Sequence, residues 1–461
     1  MTAVCGACLV LLPLACKGTS TDTARESDTP HDDSETLDTS APYSQDTDSG
    51  VDTAQPWGGE VYDVSDLAHA TYGGNDACSA IYDVQPFGDL LALSCSNAVF
   101  VDPASGDEAG RLDVYSVGSY TAARAPGADI DGDGWLDLTL MGADPVGAHI
   151  FWGPLTGVSD VTAVERLTLA ESMDGDWTGY SSAVVQGDGS VMQWLVGAPH
   201  YDNYDGRVLV FDAGERWKAL DPGDAVATIT GPSFSYTGSY LADASDMDGD
   251  GISDVIAGGG GYESGLWSLY SGPVLGTLDY NDGHSWMVGA GSYPYSKTAG
   301  GPLGTGGDLD GDGYADALIG GTTEHDDGQT AVACVFTGSA NERGSVPDCR
   351  AQVNAGPRLD SGADYDLFSD LELADHTGDG QAELVLYASG AGTGEGAVYL
   401  VAGPLTGVHE LPDAAVAAIA AGAGYTGESM ATSLPYMGLI SHPPDEPGIL
   451  YLVDFSDLWG E

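Results

Sequence analysis

Short apolar runs recur along the chain from about residue 58, each broken by glycine, proline or aspartate. One set reads LDLTLMGA, WLVGAP, DVIAGG, DALIGG and ELVLYA; a second set follows each after a glycine-rich turn, as GAHIFWG, GRVLVF, GLWSLYSG, TAVACVFTG and GAVYLVAG. A third, less regular set includes AVATITG and AVAAIAAG. β-Branched and aromatic residues bounded by turn formers predict strands. With the strand that leads into each unit, the pattern predicts four antiparallel strands per repeat.

The lead-in to the second strand carries a polar signature. The nonapeptide DIDGDGWLD (129–137) returns as DMDGDGISD (246–254), DLDGDGYAD (308–316) and, altered, DHTGDGQAE (375–383). First residues at 129, 246, 308 and 375 give steps of 117, 62 and 67, so the first step spans two periods. The missing copy lies near residue 186, where SSAVVQGDGSVMQWLVGAPHY keeps the flanks but loses the acids. A repeat of this period made of four short strands is a propeller blade.

Degenerate units extend the count. GDLLALSC with NAVFVDP near the start, and GLISHPP with GILYLVD near the end, are second and third strands without an acidic loop. The chain is therefore expected to be all-β: a seven-bladed β-propeller of four-stranded antiparallel blades over 58–461, with six or eight blades left open. The last blade lacks a fourth strand, and EVYDVSDLAHATYGG (60–74) reads as an orphan one. Pairing the two would close the ring and remove exposed edges.

Charge narrows the partners. The chain holds 71 Asp+Glu against 12 Lys+Arg, a formal net charge of −59. Such an excess argues against nucleic acid and anionic membrane surfaces, and favours cations, neutral ligands or basic partners.

The first residues set the compartment. MTAVCGACLVLLPLACKGTS is apolar over a stretch too short to span a bilayer and reads as a secretory signal over 1–16. LPLAC resembles a bacterial lipobox, which would leave Cys16 lipidated, although Pro13 is atypical and no basic residue precedes the apolar run. Residues 17–57 are rich in Ser, Thr, Asp and Pro and cannot bury enough surface to fold, so they read as a disordered acidic stalk. A bacterial envelope location follows, as an outer-membrane lipoprotein or at the cell surface, with membrane contact only through the lipid and the chain acting as a monomer. Cys78, Cys95, Cys334 and Cys349 remain after the signal and lipid site, an even set that suits two disulfides. Three pairings are possible; the strand register favours Cys78–Cys95 and Cys334–Cys349.

In each loop, oxygen-bearing residues fall at positions one, three, five and nine, and glycine at position six lets the backbone bend. Hard oxygen donors in that number suit Ca²⁺, with Mg²⁺ or Mn²⁺ as runner-up. An EF-hand does not fit: position twelve is apolar (Leu140, Ala257 and Ile319 in the intact loops), and strands rather than helices flank the loop.

The DxDGDGxxD loops, LVGAPHYDNYDGRVLVF (195–211) and the lead-ins WTGYSSA, YTGSYLA and YTGESMA together resemble the FG-GAP repeat family. That family forms the seven-bladed propeller at the head of integrin α subunits and in many bacterial surface proteins. The resemblance implies side-chain ligands Asp129, Asp131, Asp133 and Asp137 with the Trp135 carbonyl. It likewise implies Asp246, Asp248, Asp250 and Asp254 with the Ile252 carbonyl, and Asp308, Asp310, Asp312 and Asp316 with the Tyr314 carbonyl. In the fourth loop Asp375, Asp379 and Glu383 are expected to bind more weakly, with Thr377 in place of an acid and Gln381 at the carbonyl position. Three strong Ca²⁺ sites and one weaker site are expected, acting as staples.

No HExxH, GxSxG or GxxxxGK[ST] occurs, so no catalytic residue is assigned and an enzyme is not expected. In the resembling propellers ligands are met on the face opposite the metal loops, at the turns between second and third strands. His200, Tyr201, Tyr204 and Tyr262 are exposed candidates there for a sugar or peptide. The expected function is a calcium-binding surface propeller for adhesion or recognition of a protein or glycan. A carbohydrate-active hydrolase or lyase, or a purely structural envelope protein, are the alternatives.

Overall fold

Seven antiparallel sheets follow one another along the chain. The structure, a computed structural model, describes most of residues 60–459; residues 1–59 and several internal stretches, the longest being 289–302, 340–349 and 356–366, are not described. The signal (1–16), Cys16, the stalk (17–57), Tyr262 and Cys349 all lie outside the described residues.

Blade three shows why these segments become strands. Ser182–Gln186, Met192–Ala198, Arg207–Asp212 and Ala227–Thr230 pair antiparallel in chain order, with Leu195 opposite both Ala183 and Val210. Successive side chains point to opposite faces of a strand. Trp194, Val196, Leu209 and Phe211 therefore face Ile150 and Leu169 of blade two, while Leu195, Val208 and Val210 face Val255 and Ala257 of blade four. Both faces are covered by neighbours, which explains runs apolar at every position rather than at every second one. Each fully buried Val or Leu contributes about 1.5–3 kcal/mol. Among the described residues seven such apolar clusters occur, one at each blade interface, and the cluster between blades seven and one makes the ring continuous.

Closure follows the expected route and goes further. Ala70–Gly73 pairs antiparallel with Ile449–Asp454, placing Tyr72 opposite Leu450, and supplies the fourth strand of blade seven. Glu60–Asp63 does something the repeat pattern did not predict: it lies parallel to Ala417–Ala420 on the outer edge of blade six. Three internal segments do the same. Gly157–Asp160 lies along Glu108–Asp113, Gly276–Asp279 along Ala227–Thr230, and Gly407–Glu410 along Ala351–Asn354, each parallel and each on the blade before its own. Among the described residues four blades thus carry a fifth, parallel strand beyond the expected four.

The opening blade is tied by Cys78–Cys95, with Cα atoms 5.3 Å apart, the favoured pairing. Cys334 is also disulfide-bonded, and Cys349, the partner expected for it, lies outside the described residues. Among the described residues no helix is long and apolar enough to cross a membrane.

Candidate metal centres and ligand face

The four acidic loops connect the first and second strands of blades two, four, five and six, and their backbones repeat closely. The glycine at position four sits at φ of 75–76° and that at position six at 88–91° in every loop (Gly132 and Gly134, Gly249 and Gly251, Gly311 and Gly313, Gly378 and Gly380). Side chains rarely adopt that left-handed region, so the loop needs two glycines, not only the one at position six. Position one then accepts the position-six N–H: Gly134 to Asp129 at 2.9 Å, Gly251 to Asp246 at 2.9 Å, Gly313 to Asp308 at 2.7 Å and Gly380 to Asp375 at 2.9 Å.

The carboxylates converge. Asp129, Asp131 and Asp137 each offer an oxygen within 4.8 Å of the others, as do Asp246, Asp248 and Asp250; Asp308, Asp310 and Asp316; and Asp375, Asp379 and Glu383. Asp133, Asp312 and Asp254 are not in those tightest sets. Asp133 and Asp312 accept the position-seven N–H of Trp135 and Tyr314, and Asp250 and Asp379 do so for Ile252 and Gln381. Thr377 donates its hydroxyl to Glu383 at 3.1 Å. In the second loop the buried Asp246 Oδ1 has no hydrogen-bond partner. A buried carboxylate oxygen without a donor is costly, and a divalent cation among hard oxygens would satisfy it.

Position nine has a second task invisible in the motif. Asp137 takes the Ile130 N–H at 2.9 Å and the Gly153 N–H at 2.8 Å. Asp254 takes those of Met247 and Gly272, and Asp316 those of Leu309 and Gly338. It thereby ties the loop to the end of the third strand. Burial pushes Asp137 up to about 6 and Asp254 and Asp316 up to about 7, and raises Glu383 as well. Bringing a cation beside them would restore the charged form.

Groups from outside reach the position-three carboxylates. Arg216, beyond the third strand of blade three, ion-pairs with both Asp131 and Asp133. Arg350 contacts Asp310 Oδ2 at 2.7 Å, and the Ser271 hydroxyl donates to Asp248 Oδ2 at 2.9 Å. Neighbouring loops also touch. A Cβ placed on Gly249 would stand 2.3 Å from the Tyr314 ring, and one on Gly311 3.1 Å from the Gln381 amide.

The opposite blade ends look different. The turn His200–Gly206 between the second and third strands of blade three meets the segments preceding the first strands of blades three and four. Trp177 stacks on His200 at 3.6 Å and near Tyr180 at 5.6 Å; Tyr204 meets His200 edge-on at 4.8 Å and lies 5.2 Å from Tyr236. Six of its non-glycine residues are left-handed: Trp177, Asp202, Asn203, Tyr204, Phe234 and Tyr236, at φ between 47° and 72°. Such strain persists only where surroundings enforce it and clusters at functional surfaces. Here Asp205 accepts the Phe234 N–H, and Tyr204 accepts that of Tyr236. Beneath, Gly197 is obligatory, because an added Cβ would stand 1.9 Å from the Gly238 carbonyl oxygen of the next blade.

The expected ligand residues are redistributed. Tyr204 is exposed, but His200 is half-buried against Trp177, and Tyr201 lies beneath the Arg207 guanidinium at 3.8 Å. Arg207, itself buried, pairs with Asp176 at 3.5 Å. Burial lowers the His200 pKa. Trp177, 43% accessible, and Phe234, 45%, join Tyr204, 38%, as exposed rings there. Trp177 and Tyr236 had been visible only as the first letters of the WTG and YTG lead-ins.

A third acidic group lines first strands. Asp370 of blade six accepts the Met430 N–H, and Ser429 of blade seven donates to both Asp370 and Asp83 of blade one. Burial, with Asp83 and Glu372 alongside, raises Asp370 to about 7, and burial raises Glu372 likewise.

No family model matches the chain. Integrin alpha-PS2 of Drosophila melanogaster is 26% identical over 46% of this chain and 15% of its own length. Integrin alpha-X of Mus musculus is 28% identical over 32% of this chain and 13% of its own. The chain thus spans a small part of the length of these relatives. Among solved structures, Raptor of Chaetomium thermophilum superposes with a TM-score of 0.48 at 10% identity, covering 84% of this chain and 28% of that one. The integrin α likenesses and the seven-sheet ring together support an FG-GAP, integrin α-type propeller.

Proposed function

We propose that this integrin α-type propeller is a cell-surface recognition module stapled by Ca²⁺ at one end of its blades and meeting a protein or glycan at the other. The carrying observation is the separation of two chemistries to opposite ends of the blades. Carboxylates converge where first strands pass to second strands, and exposed, strained aromatics gather where second strands pass to third. The oxygen-only donor set and the partnerless Asp246 oxygen favour a hard divalent ion, Ca²⁺ ahead of Mg²⁺ or Mn²⁺. The likeness to integrin α chains supports a surface role in adhesion or recognition. Residues 1–16 fit a signal ending at a lipidated Cys16, and residues 17–57 an acidic tether.

A protein and glycan array read in Ca²⁺ and in chelator, with wild type and Trp177→Ala, tests the reading. Binding that depends on Trp177 is expected. Binding unaffected by Trp177→Ala would remove the aromatic face from the account. Turnover in a parallel hydrolase panel, lost on substitution of one acid, would overturn recognition in favour of catalysis.

A further inference from the structure

The position-three carboxylate of each intact loop has a partner drawn from a different place in the fold. Arg216 reaches the loop of blade two from the neighbouring blade three, Ser271 serves its own blade just after the third strand, and Arg350 serves its own blade just before the outer strand. The partners occupy unrelated positions in the repeat yet arrive at the same carboxylate, so the repeat did not supply them by copying. The carboxylate itself calls for them.

The geometry shows why. Asp131 and Asp310 side chains are 5% and 7% exposed, although their loops lie at the surface. In each, Oδ1 accepts a backbone N–H from position five, from Asp133 and Asp312, while Oδ2 takes the arginine. Arg216 also engages Asp133 Oδ2, a second expected ligand. Enclosed carboxylates packed this closely need a positive charge. A chain with only 12 Lys+Arg places two of them here.

We infer that Arg216 and Arg350 are tethered counter-ions of the loops at 129–137 and 308–316, sharing the position-three carboxylate with the divalent ion and lowering its affinity there. This rests on the reading that the loops bind a divalent ion. Each arginine offsets part of its loop's negative charge when no ion is present, and its charge opposes the ion when one arrives. It also holds Oδ2 of position three, while Oδ1 accepts the position-five N–H.

The test is a titration of the full chain with Tb³⁺, excited through tryptophan, and displacement by Ca²⁺. Trp135 stands in the first loop, 54% exposed, and Trp459 stacks on His376 of the fourth, so the signal reports these two loops and only the first loop's share should respond to Arg216. Arg216→Gln is expected to tighten binding roughly three- to tenfold, from removing one like charge a few ångströms from the ion in a screened setting. Arg216→Lys should remain near wild type. Arg350→Gln should leave the tryptophan signal unchanged but raise Ca²⁺ affinity in calorimetry. Arg216→Gln should also widen the gain in melting temperature on adding Ca²⁺; an equal loss with and without Ca²⁺ would mark a merely structural ion pair and overturn the inference. Unchanged or weakened affinity in Arg216→Gln would overturn it too. If wild type binds neither ion at any loop, the calcium reading fails first and this inference with it.

Discussion

The acidic loop of blade four and the aromatic turn of blade three, at opposite blade ends, solve the same problem by opposite means. At one end the chain turns through glycine-spaced carboxylates that repel one another and leave Asp246 Oδ1 without a donor. At the other it turns through left-handed aromatics whose rings and backbone groups satisfy one another, Trp177 on His200 and Tyr236 N–H on the Tyr204 carbonyl. The acidic end leaves a carboxylate oxygen unmet. The aromatic end is complete by itself and holds its strain against exposed rings. Blade three makes the contrast sharp, since it lacks the acids and closes that turn with a Gly187 N–H to the Val191 carbonyl.

The largest expected effect breaks the comparison if it fails. Three sites filled at ten times their dissociation constants would add about 4 kcal/mol to stability. Thermal unfolding in Ca²⁺ should therefore finish well above unfolding in chelator; coincident midpoints would mean that the acidic end is as self-sufficient as the aromatic one. Next, Asp316→Ala removes acceptors for the Leu309 and Gly338 N–H groups, leaving buried donors unmet. It should cost about 2–3 kcal/mol even in chelator. Asp312→Ala, at an exposed position, should lose only the Ca²⁺-dependent part. Identical behaviour of the two in chelator would deny position nine its structural task.

A smaller effect uses the half-buried first-strand acids Asp370 and Glu372 as a control, because they lack both the metal loop and the aromatic ring. Asp370 titrates at about 7 in the folded chain against an ordinary 3.8. Its contribution to stability is full below the ordinary value and is lost as pH rises through 7. Asp370→Asn should therefore stabilise by about 1–2 kcal/mol above pH 7 and converge with wild type in acid. A gain independent of pH in denaturant melts would refute it. Smallest of all, Asp202→Gly relieves a residue at φ 47° and should stabilise by about 0.5 kcal/mol, measured by the urea midpoint. A loss there would show that Asp202 contributes a contact outweighing its strain.

What was legible follows the same division. The blades and acidic loops could be read because repetition turns weak local signals into a period, and closure by residues 70–73 followed from a count that left one strand over. The parallel fifth strands were missed although GPLTG and GPVLG recur after third strands, since four strands already satisfied the repeat. Of the aromatic residues expected to be exposed at that turn, Tyr204 is exposed and His200 and Tyr201 are half-buried. Tyr201 lies under Arg207, and Trp177 stands out because of a left-handed backbone that no side-chain pattern announces. Arg216 was out of reach for a simpler reason: 79 residues separate it from Asp137, the last acid of its loop.

Ring closure also sets an order of events during synthesis. Glu60–Asp63 and Ala70–Gly73 are the first described strands to be made, yet their partners are Ala417–Ala420 and Ile449–Asp454, among the last. Until then two strands wait with open edges, the condition under which chains pair wrongly with one another. Both are only four residues long, and Glu60, Asp63 and Asp66 put negative charge on and beside the first of them. The earliest segment of the propeller is thus the one built to stay single longest.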